Sequence, residues 1–373
     1  MAVAAQQLLV ADLVKVLESI LPVTCLKNSC SWYDTTILDL EKSMNTYFED
    51  KTVLVTGAAG FVGSHLVDAL LESGAMVIGV DNFLTGREQN LAHLENEEAF
   101  TFIKADVSQP TEEYLPQDLF IDVIFHFASP ASPPKYQAAP IETYLVNSMG
   151  NHHLLQYLQR NNPQGRHIFA STSEVYGDPL EHPQTEGYWG NVNPNGVRSC
   201  YDEAKRLGET ICGVFYRDFN IDARMVRIFN TYGSRINPDD GRVIPAFIGQ
   251  ALQGNNVSIY GDGSQTRSFC YVSDLVAGVL ALAASDTARG ETVNIGNANE
   301  QTVTEVAEYI RSAVAKREGK EPVELEYHPL PGDDPTRRQP DISKAKGLLG
   351  WEPQVSFEDG IAKTIEYFVK YEL

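Results

Sequence analysis

A doubly wound parallel α/β sheet is the fold this chain predicts, on three observations. From Lys51 onward, short and nearly continuous apolar runs alternate with amphipathic stretches of helix length. The first run, TVLVTG, passes directly into Gly57-Ala-Ala-Gly60-Phe-Val-Gly63 and then into SHLVDALLESG, a helical stretch ending near Gly74. The second run, AMVIGVD, ends in Asp81, eighteen residues after Gly63. Runs that are apolar at every position mark strands covered on both faces, which is the habit of parallel sheets.

The elements follow in order. Residues 1–49 read as an N-terminal extension of unknown role, with Leu9, Leu13, Val16, Leu17 and Ile20 at helical spacing. Asp12, Lys15 and Glu18 interrupt its apolar stretch, so neither a membrane span nor a secretory leader is expected there. Next comes the glycine turn, whose missing side chains let a pyrophosphate approach the backbone at a helix N-terminus. Asp81 closes the second strand, where a carboxylate accepts from ribose hydroxyls and repels a 2′-phosphate; the cofactor expected is NAD, not NADP. FTFIKADV then delivers Asp106 and Val107, and IDVIFHFAS ends in a small-residue loop containing Ser129. A helix over 141–160 precedes RHIFAST, a strand that brings Ser171 to Glu174 to the same sheet edge.

Tyr201 and Lys205 follow, four residues apart in CYDEAKR, and a helix over 202–217 places both on one face. An ammonium near a phenol stabilises the phenolate, so Lys205 is expected to lower the Tyr201 pKa toward neutrality and make it a base for a sugar hydroxyl. A Tyr/Lys pair at this spacing is also ordinary surface decoration, and the surrounding motifs are what single it out. IDARMVRIFN is a further strand, ending at Asn230. Arg242, Arg267 and Arg338 stand in loops rich in Gly, Pro and Asp; a diphosphate or a carboxylate needs the bidentate donors that arginine supplies. The expected layout is an NAD-binding region over 50–232, with 268–297 returning to it. A smaller, interleaved α/β substrate-binding region spans 233–267 and 298–373.

Composition narrows the classes. A net charge of −21 argues against general nucleic-acid binding and against anionic membranes. Five cysteines without a CxxC pair suggest free thiols in a reducing, cytoplasmic compartment, and no metal site is expected.

From about Lys51 onward the chain resembles the extended short-chain dehydrogenase/reductase superfamily and, within it, the UDP-glucuronate decarboxylase family. The likeness is carried by GAAGFVGSHL, ASPASPP, STSEVYGDP, HPQTEGYWGNVNP, SCYDEAKR, RIFNTYG, DDGRV, YGDGSQTRSF, YVSDLV and DDPTRRQPDISKAKGLLGWEP. It implies that Thr172, Ser173, Glu174, Tyr201, Lys205 and Arg338 line the reacting sugar of UDP-glucuronate. It implies NAD contacts at Gly57, Gly60, Phe61, Val62, Gly63, Asp81, Asn82, Phe83, Thr85 and Gly86. Further contacts fall at Asp106, Val107, Ser129, Ala170, Tyr201 and Lys205. Asn230, Arg242 and Arg267 match positions around the nucleotide ligands. Ala204 stands where relatives often have Gly. Three rivals remain open: a 4,6-dehydratase, which often carries Asp where this chain has Ser173; a 4-epimerase; and a non-catalytic NAD-binding protein. An oxidative enzyme that stops at the 4-keto pentose is a fourth. Members commonly dimerise, and Leu154, Leu155, Leu158, Leu207, Ile211 and Phe215 fit a core or a homodimer interface equally well.

Overall fold

Apolar runs without alternation become strands with both faces covered, and this governs the architecture in the computed structural model, which describes residues 46–329 and 337–372. The N-terminal helix expected around Leu9 to Ile20 lies outside the described residues, as do Cys25 and Cys30. All described residues belong to one compact unit. Its strands are β1 (Thr52–Thr56), β2 (Met76–Asp81), β3 (Phe100–Lys104), β4 (Val123–His126), β5 (Arg166–Thr172), β6 (Asp222–Ile228), β7 (Thr231–Tyr232), β8 (Val257–Tyr260), β9 (Thr266–Ser268), β10 (Cys270–Tyr271), β11 (Thr292–Ile295), β12 (Glu300–Thr302) and β13 (Leu325–His328). The helices are α1 (Phe61–Glu72), α2 (Pro133–Ala138), α3 (Pro140–Leu145), α4 (Asn151–Asn161), α5 (Ser199–Phe219), α6 (Val243–Leu252), α7 (Val272–Ala284), α8 (Val303–Glu318), α9 (Ser343–Leu349) and α10 (Phe357–Tyr371).

Seven strands form one parallel sheet in the order β11-β6-β5-β4-β1-β2-β3. Strand order reverses between β1 and β4, whose register pairs Thr56 with His126. Ligands of open α/β sheets bind outside the carboxyl ends of the strands at such a reversal. One face is covered by α1 and α7, whose Leu66, Leu70, Leu275 and Val279 share a core cluster. On the other, Leu155 of α4 and Cys212 and Phe215 of α5 pack on Phe169 and Met225. Leu154 and Leu158 enter a neighbouring cluster with Ile124. Four of the six apolar residues left open between core and interface are thus core; Leu207 is exposed and Ile211 half-buried.

The helix expected over 141–160 is not continuous. A π-helical turn at Val146–Gly150 separates α3 from α4 and swings Asn147 inward, where its amide donates to Ser129 Oγ (2.9 Å) and to Thr143 O (2.8 Å). Single π turns of this kind frequently mark functional positions.

From Thr231 onward the chain builds small pairs: β7 with β10, β9 antiparallel to β12, and β8 with β13. Helix α8 starts with a reciprocal capping box between Thr302 and Glu305. Fully buried Arg224 joins β6 to α7. It forks onto Asp222 at 3.0 and 2.7 Å and donates to the carbonyls of Leu282 (2.5 Å) and Ser285 (2.6 Å) at the helix end. Among the described residues no helix is long and apolar enough to cross a membrane.

Candidate active site

The glycine turn is shaped by contact as much as by conformation. Gly57 has φ +74°, and a Cβ there would lie 2.7 Å from the backbone of Phe127 and Ala128 at the end of β4. A Cβ on Gly63 would meet Gly57 O at 2.0 Å, so α1 can start against β1 only with glycine at this position. Phe61 and Val62 form the first turn of α1, half-buried. The Asp81 carboxylate accepts from Phe83 N (2.7 Å) and Ala59 N (3.0 Å), tying the loop after β2 to the glycine turn. Burial raises its pKa, and these backbone donors oppose the rise. Gly86 lies against the same carboxylate, which a Cβ would approach to 2.8 Å. Asn82 caps Leu84 N, Phe83 adopts φ +61°, and Thr85 is exposed. Asp106 caps Ser108 N beside buried Val107. This cradle of glycines with a carboxylate at the strand ends fits a dinucleotide.

Beside it, β5 and α5 assemble the reactive groups. The Tyr201 ring lies 5 % exposed, stacked on Tyr136 of α2 at 4.9 Å between centroids. Burial pushes the phenol up to about 12, although the Thr172 hydroxyl bonds to it and lowers it. The expected lowering by Lys205 is therefore corrected: the Lys205 ammonium donates to Ala170 O (2.7 Å) and lies 5.7 Å from the Tyr201 ring centroid. Burial pushes Lys205 itself down to about 7. Desolvation favours the uncharged form of both groups and is the largest cause of each shift.

Glu174 and Arg338, both expected to line the sugar, form one buried ion pair. Arg338 donates to both carboxylate oxygens, at 2.6 and 2.8 Å. Arg198, at the N-cap of α5, adds a third bond to Glu174 at 2.5 Å. Burial works against ionisation of Glu174, but the two guanidiniums together outweigh it and hold the carboxyl below its ordinary value. Arg198 also stands 3.8 Å from Asp202, whose Oδ1 is buried without a hydrogen bond among the described residues. Burial first, then the Glu174 charge, raises Asp202 to about 7. Ser173, a hydroxyl and not an acid, is buried between Thr172 and Glu174.

Arg242 pairs with Asp240 and acts electrostatically on Tyr201. Arg267, expected in a loop, lies instead in β9, 7 % exposed, and donates to Thr266 O. Asn230 lies at the end of β6, its carbonyl accepting from Cys270 N. Sequence reading missed Arg198, Asp202 and Tyr136. Only Asp202, adjacent to Tyr201, carried a local signal.

The Asp202 shift predicts a pH effect. A carboxyl that binds its proton more tightly folded than unfolded contributes stability that is complete below the unfolded pKa of about 4. That contribution is lost as pH rises through the folded value of about 7. Asp202→Asn keeps the shape and does not titrate. Its melting temperature relative to the parent should become more positive between about pH 4.5 and about pH 8. A gap independent of pH would contradict the shift.

A reversal-point sheet with a glycine turn, and a Tyr-x-x-x-Lys pair on the adjoining helix, define an extended short-chain dehydrogenase/reductase. More narrowly, the chain belongs to the GDP-mannose 4,6 dehydratase family, whose model matches residues 54–364. It is 50% identical over 318 residues to UDP-glucuronic acid decarboxylase 1 of Danio rerio, covering 85% of this chain and 72% of that one. Among solved structures it is similar to the epimerase Mth375 of Methanothermobacter thermautotrophicus (TM-score 0.80, 30% identity, covering 89% and 95%). It is also similar to a UDP-glucuronic acid 4-epimerase of Bacillus cereus, solved as a mutant with NAD and a fluorinated UDP-glucuronic acid (TM-score 0.74, 31% identity, covering 86% and 99%).

Proposed function

We propose that this chain is a UDP-glucuronate decarboxylase that forms UDP-xylose with NAD recycled in the site. One observation carries the choice. Two buried guanidiniums, Arg198 and Arg338, face a single firmly ionised carboxylate, Glu174, next to Tyr201. Burial raises Asp202, so Glu174 is the one fully ionised carboxylate facing the two guanidiniums, and their positive charge suits a sugar carboxylate. A hexose with a neutral C6 has no use for it. The curated relatives named as decarboxylases support the same reading.

The glycine turn, Asp81, Asp106 and the loop at Ser129 would hold NAD, which when bound supplies acceptance and return of a hydride at C4 of the sugar. Tyr201 Oη takes the proton of the C4 hydroxyl, with Lys205 as the neighbouring cation. A ketone at C4 is β to the C6 carboxylate, and such a β-keto acid loses carbon dioxide by electron flow into the carbonyl. Tyr201 and the Thr172 hydroxyl bonded to it donate to the enolate oxygen that develops. Arg338 holds the sugar in a reactive ring shape, and Glu174 orients the group that protonates C5. Ser173 supplies no acid for expulsion of water, which separates this site from the dehydratases. Asn230, Arg242, Arg267 and the small β-pairs from Thr231 onward form the nucleotide-sugar side.

Turnover of UDP-glucuronate in heavy water tests the proposal. The product should be a pentose with one deuterium at C5 and none at C4, with carbon dioxide released and no accumulation of NADH. A six-carbon product would turn the assignment to a 4-epimerase; a keto-pentose with stoichiometric NADH would turn it to the oxidative enzyme.

A homodimer is part of the proposal. Ile141, Tyr144 and Met149 around the π turn and Leu207 on the adjacent α5 are exposed and apolar. Light scattering should give twice the mass of one chain, and a monomer at working concentration would remove the dimer. The free thiols Cys200, Cys212 and Cys270 suit a cytoplasmic setting.

A further inference from the structure

The loop after β2 carries two opposed signals for the cofactor. Asp81 at the strand end disfavours a 2′-phosphate, yet Arg87, six residues on, is the side chain that in this position would welcome one. The loop is short and firmly placed. Gly86 lies against the Asp81 carboxylate, and Arg87 N donates to Ala59 O in the glycine turn (3.0 Å). Asn90 Nδ2 donates to the same carbonyl at 2.9 Å. The arginine therefore starts from the wall of the dinucleotide cradle.

Its guanidinium is held by a distant part of the chain. Arg87 Nη2 donates to Glu372 Oε2 at 2.7 Å, just beyond α10. Gln89 Nε2 donates to the other oxygen, Glu372 Oε1, at 3.1 Å. The Glu372 side chain is 6 % exposed, and its backbone N–H donates to Phe368 O, so the carboxylate is fixed on the helix. Arg87 Nη1 is buried and has no hydrogen-bond partner among the described residues. A guanidinium released from Glu372 would keep that donor for an anion, and its backbone already stands at the glycine turn.

We propose that Glu372 is a cofactor-specificity residue acting through Arg87: it pins the guanidinium on the C-terminal helix and so denies it to a 2′-phosphate. Discrimination against NADP then has two parts, repulsion by Asp81 and sequestration of the Arg87 guanidinium carried by the same loop. The proposal rests on the reading of the cradle as an NAD site and is independent of which sugar nucleotide the enzyme turns over.

The test measures competition of NADP against NAD for the full-length protein, without sugar nucleotide. Glu372→Gln keeps the shape and removes the charge. It should lower the ratio of the NADP to the NAD dissociation constant about tenfold, the scale of one charge-assisted contact. Glu372→Ser should act in the same direction and serves if the glutamine variant folds poorly. Adding Arg87→Ala to Glu372→Gln should restore the parent ratio, because the cation that profits has gone. An unchanged ratio in folded Glu372→Gln and Glu372→Ser overturns the proposal, as does a gain that survives in the double variant. Failure to bind either dinucleotide would sink the proposal together with the NAD reading, while failure to decarboxylate UDP-glucuronate would leave the ratio standing.

Discussion

Tyr201→Phe should lower turnover of UDP-glucuronate by at least ~100-fold, the usual range of a positioned general base. The ring that stacks on Tyr136 remains, and so does Lys205 on Ala170 O, so NAD should still bind nearly as before. The loss should therefore appear in kcat with little change in cofactor affinity. The phenol is pushed up to about 12, so at neutral pH it carries its proton in the chain alone. Deprotonation depends on a cation beside it, and Lys205, pushed down to about 7, is poised to gain or lose that charge near neutrality. Lys205→Met should accordingly remove the ability to ionise Tyr201 as well. Near-normal turnover of Tyr201→Phe would take the phenol out of the mechanism.

Arg338→Ala should cost about 10²- to 10³-fold in kcat, the order found when a buried electrostatic donor is removed from a site. NAD affinity should hold, because the arginine bonds to Glu174 and to none of the residues of the dinucleotide cradle. Arg338→Lys should not rescue the activity, since a point charge cannot reproduce two parallel N–H donors. Arg198 remains bonded to Glu174 in either variant and keeps the carboxylate in place. A variant that lost NAD while keeping its sugar affinity would show that the segment around Arg338 serves the other ligand.

The nucleotide side of the site was readable because its determinants are local. A buried parallel strand, a turn that only glycine can make and a carboxylate at the next strand end all lie within thirty residues of one another. Tyr201 and Lys205 were readable for the same reason. The rest depends on contacts between segments far apart in sequence. Arg198 meets Glu174 across the loop 175–197, and nothing in NPNGVRSC marks that arginine as different from others in coil. Tyr136 reaches Tyr201 from a separate short helix. The π turn at Val146–Gly150 adds about one residue to a helical stretch, and a single such phase change is not separable from ordinary variation in apolar spacing. The Tyr201 pKa ran opposite to expectation because spacing shows which charges are neighbours and not how much water surrounds them.

Strand β11 occupies the outermost place beside β6, yet the chain leaves the sheet at Ile228 and returns only at Thr292. On the ribosome, β6 is consequently an open edge for as long as the intervening segment is being made. Its N–H and C=O groups are then a template for any strand that arrives first. Arg224 in the same strand waits as well: its carbonyl partners at Leu282, Ala283 and Ser285 come from the helix just before β11. Until they arrive the guanidinium has Asp222 alone, a poor substitute in a site destined to be dry. The nascent protein thus passes through an interval in which six strands of the sheet are in place but one side stays adhesive. Chains terminated before Thr292 should accordingly aggregate more readily than the full chain, which sedimentation of the two would check.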